Sequence, residues 1–241
     1  MNTLDLYEPL ESEVRFVAVL MFNLELDIKE PALVLELGNS VYKCVCRIVN
    51  NYNGSVNKIN FFDKDLLILV IFGFRRFKLD SECAVALKCS TECQHALFQI
   101  PGVRKVSIGV TTGKTYCGVF GHALRKEYTV ISLSVNMAAR LMINYPNKVT
   151  CDRNVYISSK LGTKNFILQE YKLLKGISNP GPIYEFIEIP PTHKHKMAVN
   201  PYPILGRQLE LDLYEELILR QKPTVGRMYL CYSKYYGSSQ M

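Results

Sequence analysis

A strand that runs straight into a helix constrains this chain more than any other feature. Residues 127–140 read Glu127-Tyr-Thr-Val-Ile-Ser-Leu-Ser-Val-Asn-Met-Ala-Ala-Arg140. The β-prone run Tyr128 to Ile131 passes through Ser132 into an Ala-, Met- and Leu-rich segment, which predicts a strand followed by a helix. Asn136 and Arg140 are four residues apart and project from one face of that helix. An amide and a permanent cation on one face near a helix start suit a phosphate ester or a ribose phosphate. An ordinary solvated helix with a surface arginine has the same spacing, so Asn-x-x-x-Arg alone leaves both readings open.

The flanking motifs narrow the choice. Upstream stand Val106-Ser-Ile-Gly-Val-Thr-Thr-Gly113 and Cys117-Gly-Val-Phe-Gly-His122, and earlier still Val56-Asn-Lys-Ile-Asn-Phe-Phe-Asp-Lys64. Downstream come Tyr145-Pro146, Val149-Thr-Cys-Asp152 and Tyr202-Pro-Ile-Leu-Gly-Arg207. Together with the string at 127–140, these resemble the class III nucleotidyl cyclases, whose signature reads Glu-Tyr-Thr-Val-Ile-Gly and then Val-Asn-x-Ala-Ala-Arg. Within that family, the pattern looks like the second catalytic half of the bicarbonate-responsive soluble adenylyl cyclases, in truncated form. The resemblance covers residues 13 to 236 and is most specific from 106 to 152.

Composition agrees with a folded domain. The 241 residues fit one large domain, or one domain with a fragment attached. With 48% hydrophobic and 21% charged residues the chain can bury a substantial core. The net charge of +7 is spread along the chain, with no basic run longer than Arg75-Arg76 or Arg125-Lys126. A mild basic excess suits a polyphosphate nucleotide, and nucleic acid is not expected as a partner. The eight cysteines form no CxxC pair and read as thiols in a reducing compartment. The N-terminus has no secretory pattern, and no apolar run approaches the ~20 residues of a membrane span. A cytoplasmic protein without a transmembrane segment is expected.

Periodicity predicts an α+β fold. A buried strand spans Arg15 to Phe22, and a helix carries Leu33, Leu37, Val41, Val45 and Val49 as far as Asn53-Gly54. Two strands, Ser55 to Phe61 and Leu66 to Phe72, flank an Asp63-Lys64 turn, and a second helix spans Ser81 to Phe98. A further hairpin is expected from Val103 to Phe120, turning at Gly113-Lys114. The order β-α-β-β-α-β is that of a ferredoxin-like unit, to which the strand and helix at 127–140 are appended. Residues 1–190 read as the nucleotidyl cyclase catalytic-half domain and 191–203 as a linker. Residues 204–241 resemble the start of an ATPase-like module whose phosphate loop has Ser238 in place of the lysine. His193 and His195 in the linker read as solvated residues rather than a metal clip.

The resemblance implies the chemistry. Class III adenylyl cyclases convert ATP to cyclic AMP and pyrophosphate through attack of the ribose 3′-oxygen on the α-phosphate. They use two divalent metals held by paired aspartates and a cation over the developing charge. Where two unlike halves pair, one carries the aspartates and the other the base pocket with Asn and Arg. By motif position, Asn136 orients the ribose, Arg140 stabilises the pentavalent phosphoryl group, and Lys58 and Thr129 contact adenine, favouring ATP over GTP. On residue type alone, Lys58 also suits a solvated strand end, and Thr129 a sheet filler.

The metal half is eroded. Asn23 stands where a metal-binding half has aspartate, and an amide oxygen is an uncharged, weaker ligand. Asp63 matches the second aspartate position but is a weak candidate, since Phe62 precedes it where the motif has glycine. No metal site is therefore expected within this chain, and a homodimer leaves the same deficit. Mg²⁺ or another divalent metal is expected only with a metal-bearing cyclase half-domain as partner. Ser132 replaces the signature glycine, a costly change if that position needs a positive φ. The expected function is a half-domain contributing adenine, ribose and phosphate contacts, inactive alone. The alternative is a catalytically inactive cyclase-like binding or regulatory module. A ferredoxin-like RNA binder is disfavoured, because Val103 to Val110 contains no aromatic residue for base stacking.

Overall fold

The computed structural model describes residues 12–27, 31–62, 65–74, 81–122 and 124–189. The chain divides into two units, Met1–Pro190 and Pro191–Met241, and all the described residues belong to the first. The linker at 191–203, His193, His195, the ATPase-like start at 204–241 and the candidate Asp63 lie outside the described residues.

Strand β1 (Glu13–Leu26) explains its own composition by its position. It pairs antiparallel with β3 (Asp65–Phe72) on one side and β4 (Val103–His122) on the other, so it has no free edge. Ala18, Leu20, Phe22 and Leu24 point to one face of the sheet, and Val17 and Val19 to the other. All six are buried, which is why this stretch reads as an unbroken apolar run rather than an alternation. Strand β2 (Ser55–Phe62) pairs with β3, giving the order β2-β3-β1-β4 that defines a ferredoxin-like sheet.

Helices α1 (Pro31–Asn51) and α2 (Glu82–Phe98) cover the even face of β1. Val41, Val45, Ile48 and Val49 of α1 interlock there with Ala86, Leu87, Cys89, Cys93 and Leu97 of α2. Leu33, expected on this stripe, is instead exposed at the start of α1. The helix ends where Asn53 turns left-handed (φ 56°) and the Gly54 N–H donates to the Val49 carbonyl at 2.9 Å.

The expected turn at Gly113-Lys114 does not form. Strand β4 continues through it for 20 residues, because β1 runs beside it and pairs Val17 with Gly113 and Phe16 with Lys114. The chain reverses instead after His122, into β5 (Arg125–Ile131), which pairs back along β4 from His122 to Tyr116. Gly113 is a glycine for a different reason. A Cβ there would collide with the Ser134 hydroxyl of α3 (Leu133–Asn144), and one at Gly109 would overlap the Ala138 carbonyl oxygen. These two positions let α3 lie directly on the sheet.

Helix α3 sits on the face opposite α1 and α2. Ala138 joins Val17, Val19, Leu69, Ile71, Cys117 and Val130 in a second core, and Thr111 Oγ1 donates to the Ser134 carbonyl at 2.8 Å. The remaining elements finish the sheet beyond β4. Strand β6 (Val149–Cys151) runs parallel to β4, helix α4 (Arg153–Ser159) follows, and β7 (Phe166–Leu168) and β8 (Tyr184–Phe186) close that edge. Among the described residues, no helix is long and apolar enough to cross a membrane.

Candidate functional site

Ser132 sets the start of α3. Its backbone is extended (φ −166°, ψ 167°), so the position does not need the glycine that the family signature carries. Its Oγ accepts from the Val135 N–H at 3.1 Å, a side-chain cap no glycine provides. The expected strain at Ser132 is therefore absent, and the substitution secures the helix end.

Asn136 then falls in the first turn, exposed, and Arg140 lies one turn further along the same face, half-buried. Met137, Ala138, Leu141 and Met142 take the opposite, buried side. The Arg140 carbonyl accepts from Asn144 Nδ2 at 2.8 Å, while its guanidinium has no ion-pair partner among the described residues. A guanidinium held on a packed helix and left without a carboxylate is poised for an external anion.

Lys58 is aimed by a β-bulge. Val56 pairs with Val70 and Lys58 with Leu69, so Asn57 is the extra residue of β2 and the ladder is interrupted there. Both bulge side chains reach across to β5. Lys58 Nζ lies 3.0 Å from Glu127 Oε1, and Asn57 Nδ2 donates to the Tyr128 carbonyl at 3.4 Å. Tyr128 is held from below by an edge-on contact with Phe74, ring centroids 5.8 Å apart. Thr129, 8% exposed, sits opposite Gly118 on β4, two residues beyond Glu127 and on the same side of β5. The fold thus ties Lys58, through Glu127, to the strand that carries Thr129, 71 residues further along the sequence.

Two further residues where β2 meets β5 escaped the sequence reading. Glu127 was legible only as the first letter of the signature, and Asn57 carried no signal, because a bulge depends on how β2 registers against β3. The Asn57 Oδ1 is buried and accepts no hydrogen bond from the described residues.

The metal side is different. Asn23 is on the face of β1 that α3 covers, between Leu67 of β3 and Ser107 of β4. Its Oδ1 is also buried and accepts nothing. One neutral amide oxygen does not make a Mg²⁺ site, which draws on carboxylates. Among the described residues, no group of three His, Cys, Asp or Glu side chains is placed to hold a metal. Asn23 thus supplies no carboxylate to a divalent ion, and Asp63, the other candidate, lies outside the described residues.

Beyond the cleft, Asp152 caps α4 by accepting from the Val155 N–H at 2.9 Å. Burial pushes its carboxyl up to about 6, against the lowering effect of the Val155 bond.

Residues 11–175 match the adenylate and guanylate cyclase catalytic domain. This chain belongs to that family. The cyclase-family chain is 35% identical over 213 residues to adenylate cyclase type 10 of Rattus norvegicus, an alignment covering 84% of this chain and 13% of the relative. The Homo sapiens adenylate cyclase type 10 is 34% identical over 212 residues, again 84% of this chain and 13% of the relative. The chain therefore spans about an eighth of the length of these curated relatives. Among solved structures, the fold is similar to the adenylyl cyclase CyaB from P. aeruginosa, with a TM-score of 0.64 at 20% identity, covering 77% of this chain and all of that one. It is also similar to the guanylyl cyclase Cya2, with a TM-score of 0.62 at 18% identity, covering 76% of this chain and 96% of that one. At these identities the two likenesses are of fold.

Proposed function

We propose that this cyclase-family domain is the substrate-side half of an adenylyl cyclase, which binds ATP and completes its site only with a metal-bearing cyclase half-domain. The carrying observation is the continuity of β5 and α3. One strand carries Glu127, the ion-pair partner of Lys58, and Thr129 two residues on, and it leads into the helix that bears Asn136 and Arg140. A base-reading end and a phosphate-reading end are thereby joined by a single structural unit.

In this reading Lys58 and Thr129 contact adenine, and Asn136 orients the ribose for attack of its 3′-oxygen on the α-phosphate. As that bond forms, the bond to pyrophosphate breaks and negative charge builds on the phosphoryl oxygens. Arg140 meets that charge and acts mainly in the transition state. Divalent metal, Mg²⁺ or another, belongs to the partner half, since Asn23 offers a neutral oxygen in place of a carboxylate. A lysine donor suits the ring acceptor of adenine and opposes the ring N–H of guanine, so ATP is favoured over GTP.

The test is cyclic AMP formation by the purified chain, alone and mixed with a metal-competent half. Activity is expected only in the mixture. Turnover of about 1 per second or more by partner-free protein would overturn the half-site reading. A second reading, an inactive cyclase-like binding or regulatory module, draws on the same neutral Asn23. It predicts that the mixture is no more active than the metal-bearing half by itself.

A further inference from the structure

We propose that Asn57 reads the exocyclic amine of the purine, so that Asn57 and Lys58 together form an acceptor–donor pair for adenine. The inference rests on the base-pocket reading above and adds Asn57, a residue to which the resemblance assigns no role.

Three observations carry it. First, the bulge sets Asn57 and Lys58 against the single residue Leu69, and both side chains reach the same strand, β5. Second, Asn57 Nδ2 is committed to the Tyr128 carbonyl, which fixes the amide's orientation and leaves Oδ1 as a pure acceptor. Third, that Oδ1 is buried and accepts nothing from the described residues, although a desolvated carbonyl oxygen is costly unless something donates to it. The neighbouring hydroxyl of Thr129 both donates and accepts, so it cannot by itself distinguish an amine from a carbonyl.

The chemistry then follows from the edges of the bases. Adenine presents an amine donor beside a ring acceptor, which matches Oδ1 of Asn57 beside the Lys58 ammonium. Guanine presents a carbonyl acceptor beside a ring N–H donor and is mismatched at both places. To enter, the base parts Lys58 from Glu127; their side chains are 30% and 51% exposed, so the exchange takes place at the surface.

The experiment compares ATP with purine riboside 5′-triphosphate, which keeps the ring nitrogens and lacks only the amine. Titration calorimetry on the 241-residue chain is expected to show about a tenfold preference for ATP, the size of one ordinary hydrogen bond. Asn57→Leu, of similar shape, should bring the two ligands to equal affinity. Thr129→Val should weaken both ligands alike. Equal affinity of the unaltered protein for the two ligands overturns the proposal without any variant. So does a preference that survives Asn57→Leu or disappears in Thr129→Val. Lys58→Ala tests the underlying pocket separately. If it leaves ATP binding unchanged, the base-pocket reading fails whatever Asn57 does, and if no nucleotide binds, both fail together.

Discussion

Lys58 Nζ lies 3.0 Å from Glu127 Oε1, so the cation assigned to the base is held by a carboxylate of the signature strand itself. The pair couples β2 to β5 and occupies the ammonium that a purine would use. Because both side chains are partly exposed, the bond contributes less than ~1 kcal/mol to stability.

Its effect on ligand binding is therefore separable from its effect on folding. Glu127→Gln should leave the melting temperature nearly unchanged and tighten ATP binding by roughly two- to tenfold, a gain that shrinks as salt is raised. Calorimetric titration and a thermal melt on the same sample check both halves. Weaker ATP binding in this variant would show that the carboxylate helps the ligand rather than competing with it.

Arg140 gives the opposite separation. Its guanidinium has no ion-pair partner among the described residues, so Arg140→Ala should alter stability by no more than about 0.5 kcal/mol. In a mixture with a metal-bearing half, the same change should lower kcat by roughly a hundredfold or more, well beyond its effect on ATP affinity. Arg153→Ala, in the first turn of α4, is the control. Equal losses in the two variants would remove the assignment.

Asp152 predicts a pH dependence. Its carboxyl is raised from an ordinary 3.8 to about 6 by burial, so between those values the folded chain holds the proton and the unfolded chain releases it. The resulting stabilisation is fully present below pH ~4 and is lost as pH rises through 6. At 1.36 kcal/mol per unit it amounts to about 3 kcal/mol. Subtracting the melting curves of Asp152→Asn from those of the unaltered chain, between pH 4 and 8, isolates this contribution. A difference independent of pH would refute it.

The contact between α3 and the sheet can be probed at its two glycines. Gly109→Ala drives a Cβ into the Ala138 carbonyl, which is backbone and cannot turn aside, so a loss of about 1–3 kcal/mol is expected. Gly113→Ala meets only the Ser134 hydroxyl, which has other rotamers, and should cost less. Chemical denaturation of the two variants decides the order, and a costlier Gly113→Ala would show that α3 rests on the sheet differently.

The parts of this fold that were legible in the sequence are those fixed by short-range pattern. The strand and helix at 127–140 follow from residue type and spacing, and the β-α-β-β-α-β order follows from periodicity. Gly113 misled because a glycine looks the same whether it permits a turn or a close approach, and only the neighbouring strand and Ser134 distinguish the two. Ser132 misled for a related reason: a family glycine there suggested a left-handed backbone, while the chain uses an extended one and gains a cap. Asn57 was silent because its role depends on a register shift against β3 and on the approach of β5, neither of which is local.

The two faces of the sheet carry separate obligations. None of Asn23, Lys58, Thr129, Asn136 and Arg140 belongs to the large core that α1 and α2 form on the first face. Lys58, Asn136 and Arg140, which keep some exposure, can change at little cost to folding, whereas Thr129 and the Asn23 amide oxygen are buried. A chain of this design can drift from enzyme to binding module one substitution at a time, with expression and melting temperature giving no warning of the loss.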